Sequence, residues 1–220
     1  MINIAIDGPA GAGKSTIARK LASNLGYIYV DTGALYRAVG VNAMRSGADT
    51  KNAEQVTATL NSAKVSLRFI EGEQRVFLGE EDVSLAIRTP EASMAASNVS
   101  AIPAVREFLF DLQRNIAKEN NCIMDGRDIG TVVLPDAQVK VFLTASAQVR
   151  AKRRYDELIA KGMEADYNQV LEEMIQRDYQ DSHRAIAPLK QADDATLVDT
   201  SDMNLEQVLS ALESIVKEKI

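Results

Sequence analysis

An α/β fold, with a central parallel sheet covered by helices, is predicted by two features of this 220-residue chain. Short apolar, β-prone runs alternate with longer helical stretches along most of its length, the pattern of strands buried on both faces. Three of those runs lead directly into an aspartate, at Asp7, Asp31 and Asp125, so the strand ends carry carboxylates.

Residues 2–6 read as the first strand, and 14–24, stopped at Gly26, as the helix after it. The second pair is a strand at 27–30 and a helix at 34–45, ended by Gly47. Further strands are expected at 122–124, 139–143 and 196–198, and helices at 103–118, 147–161 and 205–217. Pro103 just inside one helix start, and Gly26, Gly47 and Gly162 just past three ends, follow the terminus preferences of those residues. One region breaks the alternation. Val65, Leu67 and Phe69 recur with period two, Glu71-Gly72-Glu73 reads as a turn, and 75–78 can return beside them. This antiparallel hairpin marks an inserted lobe at 52–98 in a single domain spanning 1–220.

With 46% hydrophobic residues the chain can bury a full core without disulfides. A net charge of −6 and a pI near 5.0 repel phosphate backbones, so nucleic acid is not expected as a partner. Cys122, the one cysteine, lies in an apolar run and reads as a buried, inert thiol in a reducing compartment. No run approaches the roughly 20 apolar residues of a membrane span, and Asp7 interrupts the first apolar stretch before a signal sequence could form. The expectation is a cytoplasmic monomer without a membrane partner.

Gly8-Pro9-Ala10-Gly11-Ala12-Gly13-Lys14-Ser15 fits G-x-x-x-x-G-K-[ST] at every specified position, after a strand and before a helix. Such a loop turns backbone amides around a phosphate, adds the positive end of a helix, and lets Lys14 reach the β and γ oxygens. The expectation is therefore a P-loop NTPase fold, with ATP on Gly8, Pro9, Ala10, Gly11, Ala12, Gly13, Lys14, Ser15 and Thr16, and Mg²⁺ on Ser15. A dinucleotide fingerprint would need G-x-G-x-x-G, which this loop lacks.

Thr32 and Arg37 follow the second strand, at the carboxyl edge where open α/β sheets bind ligands. The strand at 122–124 ends in Asp125-Gly126-Arg127-Asp128. Arg127 could be a surface ion pair with Asp125 or Asp128, or a fork for phosphate oxygens. Arg150-Ala151-Lys152-Arg153-Arg154 is a positive patch in an acidic chain; a solvated helix face with pairs such as Arg153 and Glu157 would account for part of it. Arg177, Asp181 and Arg184 follow a helical stretch. Arginines converging from separate segments suit phosphoryl transfer, where catalysis is positioning and charge neutralisation.

The P-loop, Asp31-Thr32-Gly33-Ala34-Leu35-Tyr36-Arg37, Ala96-Ser97-Asn98-Val99, Val105-Arg106, the segment from Asp125 to Val133 and that from Arg177 to Leu189 together resemble the bacterial cytidylate kinase family. The resemblance runs nearly end to end. It implies a kinase of pyrimidine nucleotide metabolism, carrying the γ-phosphoryl group of ATP to CMP or dCMP, with 52–98 as the lobe that binds the monophosphate. By it, Arg37, Arg127 and Arg184 would grip the CMP phosphate, Ser97, Arg106 and Asp128 would read cytosine, and Arg177 with Asp181 would hold the sugar. Thr32 stands where the family often has serine, which keeps the hydroxyl. Arg150, Arg153 and Arg154 would be catalytic cations of a helical lid at 147–165. The rival classes are a P-loop kinase for another small acceptor and a GTPase-type switch; Ser62-Ala63-Lys64 matches a guanine-loop triplet, but no N-K-x-D precedes it. Replacing Lys14 by alanine should abolish turnover and leave the circular dichroism spectrum unchanged; a folded Lys14→Ala variant with wild-type kcat would remove the loop from the donor site.

Overall fold

The computed structural model describes residues Met1–Ile220. β1 (Asn3–Asp7) leads through the glycine loop into α1 (Lys14–Leu25), and β2 (Ile28–Asp31) into α2 (Thr32–Arg45). Next come α3 (Ala53–Ala63), the strands β3 (Val65–Ile70), β4 (Glu73–Leu78) and β5 (Glu81–Asp82), and α4 (Pro90–Val99). α5 (Pro103–Glu119) precedes β6 (Cys122–Gly126), a π-helical turn (Ile129–Val133) and β7 (Val139–Thr144). α6 (Ala147–Ala160), α7 (Tyr167–His183), β8 (Thr196–Asp199) and α8 (Leu205–Lys219) complete the chain.

Each strand and helix expected from the alternation is present, with ends shifted by a residue or two. The larger sheet has the order β2-β6-β1-β7-β8; β1 pairs parallel with β7, from Ile4 opposite Val139 to Asp7 opposite Phe142, and β7 pairs parallel with β8. All five residues of β6 are buried, as a strand covered on both faces requires. The smaller sheet, β3-β4-β5, is antiparallel and contains the expected hairpin, with Val65 opposite Leu78 and Ile70 opposite Glu73. Its turn places Glu71 at φ 53° and Gly72 at φ 78°, the left-handed pair that matches the twist of two strands.

By contacts the chain forms two units, one of Met1 and Ile28–Cys122, the other of Ile2–Tyr27 and Ile123–Ile220. In the first, α2 is buried on two sides. Leu35, Val39 and Ala43 pack with Val56 and Leu60 of α3, Val99 of α4, and Val105 and Leu109 of α5. Ala34, Ala38 and Val41 pack with Val76, Val83, Ile87 and Ala92. Sequence periodicity left α3 and α4 unassigned, yet both carry start signals: Asn52 accepts from the Gln55 amide, and Thr89 accepts from the Ala92 amide with Pro90 at the first helical position. In the second unit, Ala151 of α6 packs with Val170 and Met174 of α7. Arg177 and Asp181, expected to follow a helix, lie on α7, which Asp166 caps; Arg184 is its C-cap.

No helix is long and apolar enough to cross a membrane. Cys122 is fully buried, and burial pushes its thiol up to about 12, so it stays protonated and unreactive. Gly40 of α2 is held tightly against α4, since a Cβ there would lie 2.7 Å from that of Ala95 and 3.2 Å from its backbone carbon. Backbone cannot swing aside as a side chain can. Overpacking at the upper end of its range, about 3 kcal/mol, should outweigh the roughly 1 kcal/mol alanine gains as a helix former. Gly40→Ala should therefore lose about 2 kcal/mol in urea unfolding at unchanged m-value; wild-type stability would mean that the two helices separate without cost.

Candidate active site

The loop after β1 depends on glycine where the backbone passes closest to a neighbour. At Gly8 φ is 148°, and a Cβ would lie 1.9 Å from the carbonyl oxygen of Leu143 in β7, so no other residue fits. Gly13, at φ 90°, caps α1, and Lys14 is the helix's first residue. Lys14 is 5% exposed, and its Nζ donates to the Pro9 carbonyl at 2.8 Å. Burial, joined by the charge of Arg127, lowers its pKa to about 7 against the pull of Asp125, Asp7 and Asp181. Ser15 donates its hydroxyl to Asp125 at 2.9 Å, placing two hard oxygen groups side by side at the loop.

Asp7 and Asp125 lie at strand ends visible in the sequence, and the structure adds what they hold. The buried Asp7 carboxylate accepts from the amides of Ile129 at 2.8 Å and Gly130 at 2.7 Å, fixing the start of the π-helical turn directly after Asp128. Burial raises its pKa to about 6, although the two amides work against the rise.

Arg127 pairs with neither neighbour that the sequence suggested. Its Nε donates to Asp181 of α7 at 2.8 Å, and Arg184 donates to Asp128 at 3.1 Å, with both of those side chains under a tenth exposed. The strand tip and α7 are thus cross-linked by two ion pairs. Arg177 adds charge to the group: burial alone would raise the Asp181 pKa, but Arg127, through its charge and hydrogen bond, with Arg177 and Arg184, brings it below the ordinary carboxylate value.

The α6 patch divides between surface and interior. Lys152 pairs with Asp156 and Arg154 with Glu157, forming the expected solvated face. The Arg153–Glu157 pair does not form: Glu157 takes Arg154 and Lys161, while Arg153 reaches the Thr200 carbonyl at 2.8 Å. Arg150 is buried; it donates to the carbonyls of Ala145 and Ala10 and to both oxygens of Asp178. Asp178 lies in the family-like segment from Arg177 to Leu189, but its pairing was not legible, because nothing local ties it to a residue 28 positions earlier.

In the other unit, Thr32 is the buried first residue of α2. Asp31 caps that helix through the Ala34 amide and holds Arg37 at 2.7 Å. Gln74 of β4, also missed, brackets Asp31 by accepting from its amide at 2.8 Å and donating to its carbonyl at 3.4 Å. Ser97 lies half-buried on α4. Arg106 of α5 is buried, donates to the Ser100 carbonyl at 3.4 Å and lies 5.8 Å from the Tyr36 ring centre.

A strand, a glycine loop closing over a buried lysine, and a helix define a P-loop nucleotide-binding protein. Likeness to solved structures is of fold alone: shikimate kinase from Bacteroides thetaiotaomicron aligns over 98% of both chains at TM-score 0.50 and 12% identity. An uncharacterized protein from Eubacterium ventriosum aligns over 99% of both at TM-score 0.56 and 13% identity. Sequence is more specific. The profile of the cytidylate kinase family matches residues 4–218. The cytidylate kinase of Caldicellulosiruptor bescii is 52% identical over 208 residues, covering 94% of this chain and 92% of that protein. That of Lactiplantibacillus plantarum is 47% identical over 218 residues, covering 99% and 96%. The chain belongs to the cytidylate kinase family and is a kinase.

Above its depressed pKa, a buried lysine becomes charged only when an anion compensates its burial. At about pH 8, ATP binding should take up close to one proton, and uptake should fall to about half at pH 7 and vanish below it, where Lys14 is protonated before ATP binds. Calorimetry in buffers of different ionisation enthalpy measures it. Uptake near zero at about pH 8 would mean that Lys14 is charged before ATP arrives.

Proposed function

We propose that the chain transfers the γ-phosphoryl group of ATP to CMP or dCMP, giving ADP and CDP or dCDP. Family membership supports this reading. The observation that carries the acceptor side is the pair of cross-links joining Arg127 to Asp181 and Arg184 to Asp128, which aims two guanidinium groups from different elements. Arg127 and Arg184, with Arg37, grip the CMP phosphate. Ser97, Arg106 and Asp128 read the base, Arg177 and Asp181 hold the sugar, and Thr32 adds a hydroxyl at the acceptor side.

Gly8 to Thr16 hold the ATP phosphates. Ser15 beside Asp125 suits Mg²⁺, a hard cation that prefers oxygen and commonly takes one or two protein groups together with phosphates. When bound, it would supply positive charge to the donor phosphates. Lys14 and the lid cations Arg153 and Arg154 offset the charge of the in-line transfer, and Arg150 adds its positive charge from its buried place behind the loop, where Asp178 and two carbonyls take its donors. The acceptor needs no general base, because a nucleotide phosphate with a second pKa near 6 is mostly dianionic at neutral pH. His183, the one histidine, is stacked on the Tyr179 ring at 4.0 Å. Closure of 147–165 excludes water, which would otherwise hydrolyse ATP. The protein works in the cytoplasm as a monomer on small nucleotides, without nucleic acid.

Initial rates with ATP against CMP, dCMP, UMP, AMP and GMP test the acceptor class; CMP and dCMP should lead, and a faster purine would reject the reading. Cytosine presents an N4 amine where uracil presents the O4 acceptor, so a carboxylate aimed there favours cytosine strongly. Asp128→Asn should lower the CMP to UMP ratio of kcat/KM at least about tenfold, roughly 1.4 kcal/mol of discrimination. If both substrates lose activity in proportion, Asp128 serves only to hold Arg184.

A further inference from the structure

Two consecutive carbonyls of the glycine loop are held by two buried cations. Lys14 takes the Pro9 oxygen at 2.8 Å, and Arg150 takes the Ala10 oxygen at 2.9 Å. Only the first belongs to the loop's own motif. Arg150 is 4% exposed, and a buried guanidinium needs partners for both its charge and its donors. Asp178 provides the charge through both carboxylate oxygens, and Nε is anchored on the Ala145 carbonyl at 2.8 Å. With those sides of the fork fixed, the position of Nη1, and of the Ala10 oxygen it holds, is fixed as well.

We infer that Asp178 is a positioning residue of the donor site: through Arg150 it turns the Ala10 carbonyl toward α6 and thereby aims the Gly11 amide at the phosphates. The inference rests on Gly8–Thr16 being the ATP cradle. A trans peptide is planar, with its N–H opposite its C=O, so fixing the Ala10 oxygen fixes the direction of the Gly11 hydrogen. The neighbouring helices press on this peptide from the Arg150 side. A Cβ on Gly11, whose φ is 74°, would lie 3.2 Å from both Arg150 Cβ and Met174 Cε. With the Ala10 oxygen held by Arg150, the Gly11 amide faces away from α6. Asp178 is also flanked on α7 by Arg177 and Asp181, so one helix carries acceptor groups and the brace of the donor loop.

Asp178→Asn keeps the shape and one carbonyl oxygen but removes the charge. Calorimetric titration should show the ATP Kd rising at least about tenfold, while the Kd for CMP alone changes less than about twofold. Arg150→Met should weaken ATP to a similar extent, and the double variant should be no worse than the weaker-binding single variant, because both act through one link. Should Asp178→Asn fail to fold, Arg150→Lys, which keeps the charge but not the fork, should show the same selective loss for ATP. A folded Asp178→Asn or Arg150→Lys with wild-type ATP affinity, equal losses for ATP and CMP, or additive losses in the double variant would overturn the inference. A wild-type protein that binds ATP but not CMP would instead reject the acceptor reading and leave the donor result standing.

Discussion

Lys14 lies beneath the glycine loop with 5% of its surface exposed, and the cost of keeping a charge there shapes its surroundings. Desolvation and the nearby Arg127 oppose the ammonium; Asp125, Asp7 and Asp181 favour it. Each carboxylate is itself held: Asp125 by the Ser15 hydroxyl, Asp7 by two amides, Asp181 by Arg127. Breaking a buried ion pair such as Arg127–Asp181 by removing one partner would cost up to about 3–5 kcal/mol. Such a network contributes little to stability compared with an apolar core, but it holds its members in one arrangement. For phosphoryl transfer that arrangement matters, because cations already oriented when the phosphate charge arrives require no further reorganisation.

Arginine serves this network in two ways. Arg150 is enclosed, with its donors distributed over Asp178 and two carbonyls, and it behaves as a brace. Arg127 and Arg184 are each tied to one carboxylate from another element, which restricts the planar fork to one orientation. Lysine could supply the charge at either kind of position but not the orientation, since an ammonium on a flexible stem has no plane to fix.

The parallel sheet was legible because strands buried on both faces must be apolar, and because Gly8 to Ser15 combine a specific pattern with the right flanks. α3 and α4 were hidden by a strong hairpin signal between them, although Asn52 and Thr89-Pro90 announce both helix starts. α7 was half visible: residues 177, 181 and 184 recur at helical spacing, and Asp166 caps the start. The pairings were not legible. Arg127 finds Asp181 across 54 residues, and Arg184 finds Asp128 across 56, separations at which only the fold decides which carboxylate is nearest. Even the local choice at α6 went otherwise, because the Thr200 carbonyl competes for Arg153 and leaves Glu157 to Arg154 and Lys161.

The three aspartates at the strand ends show why residue type locates a site without revealing its workings. Asp31 accepts from the first turn of α2 and holds Arg37, so one carboxylate both starts a helix and aims a cation on it. Asp7 accepts two consecutive amides and sets the turn after Asp128. Asp125 takes the hydroxyl of Ser15. All three follow apolar strands, and each orients a different neighbour. A short carboxylate at a strand end is close enough to the next element to accept its unpaired amides or hydroxyls, and rigid enough to keep them there. Carboxylates would repel the phosphates that the neighbouring arginines, lysine and amides attract. A carboxylate in such a site can still orient those groups, and the hydrogen bonds made by Asp7, Asp31 and Asp125 do so.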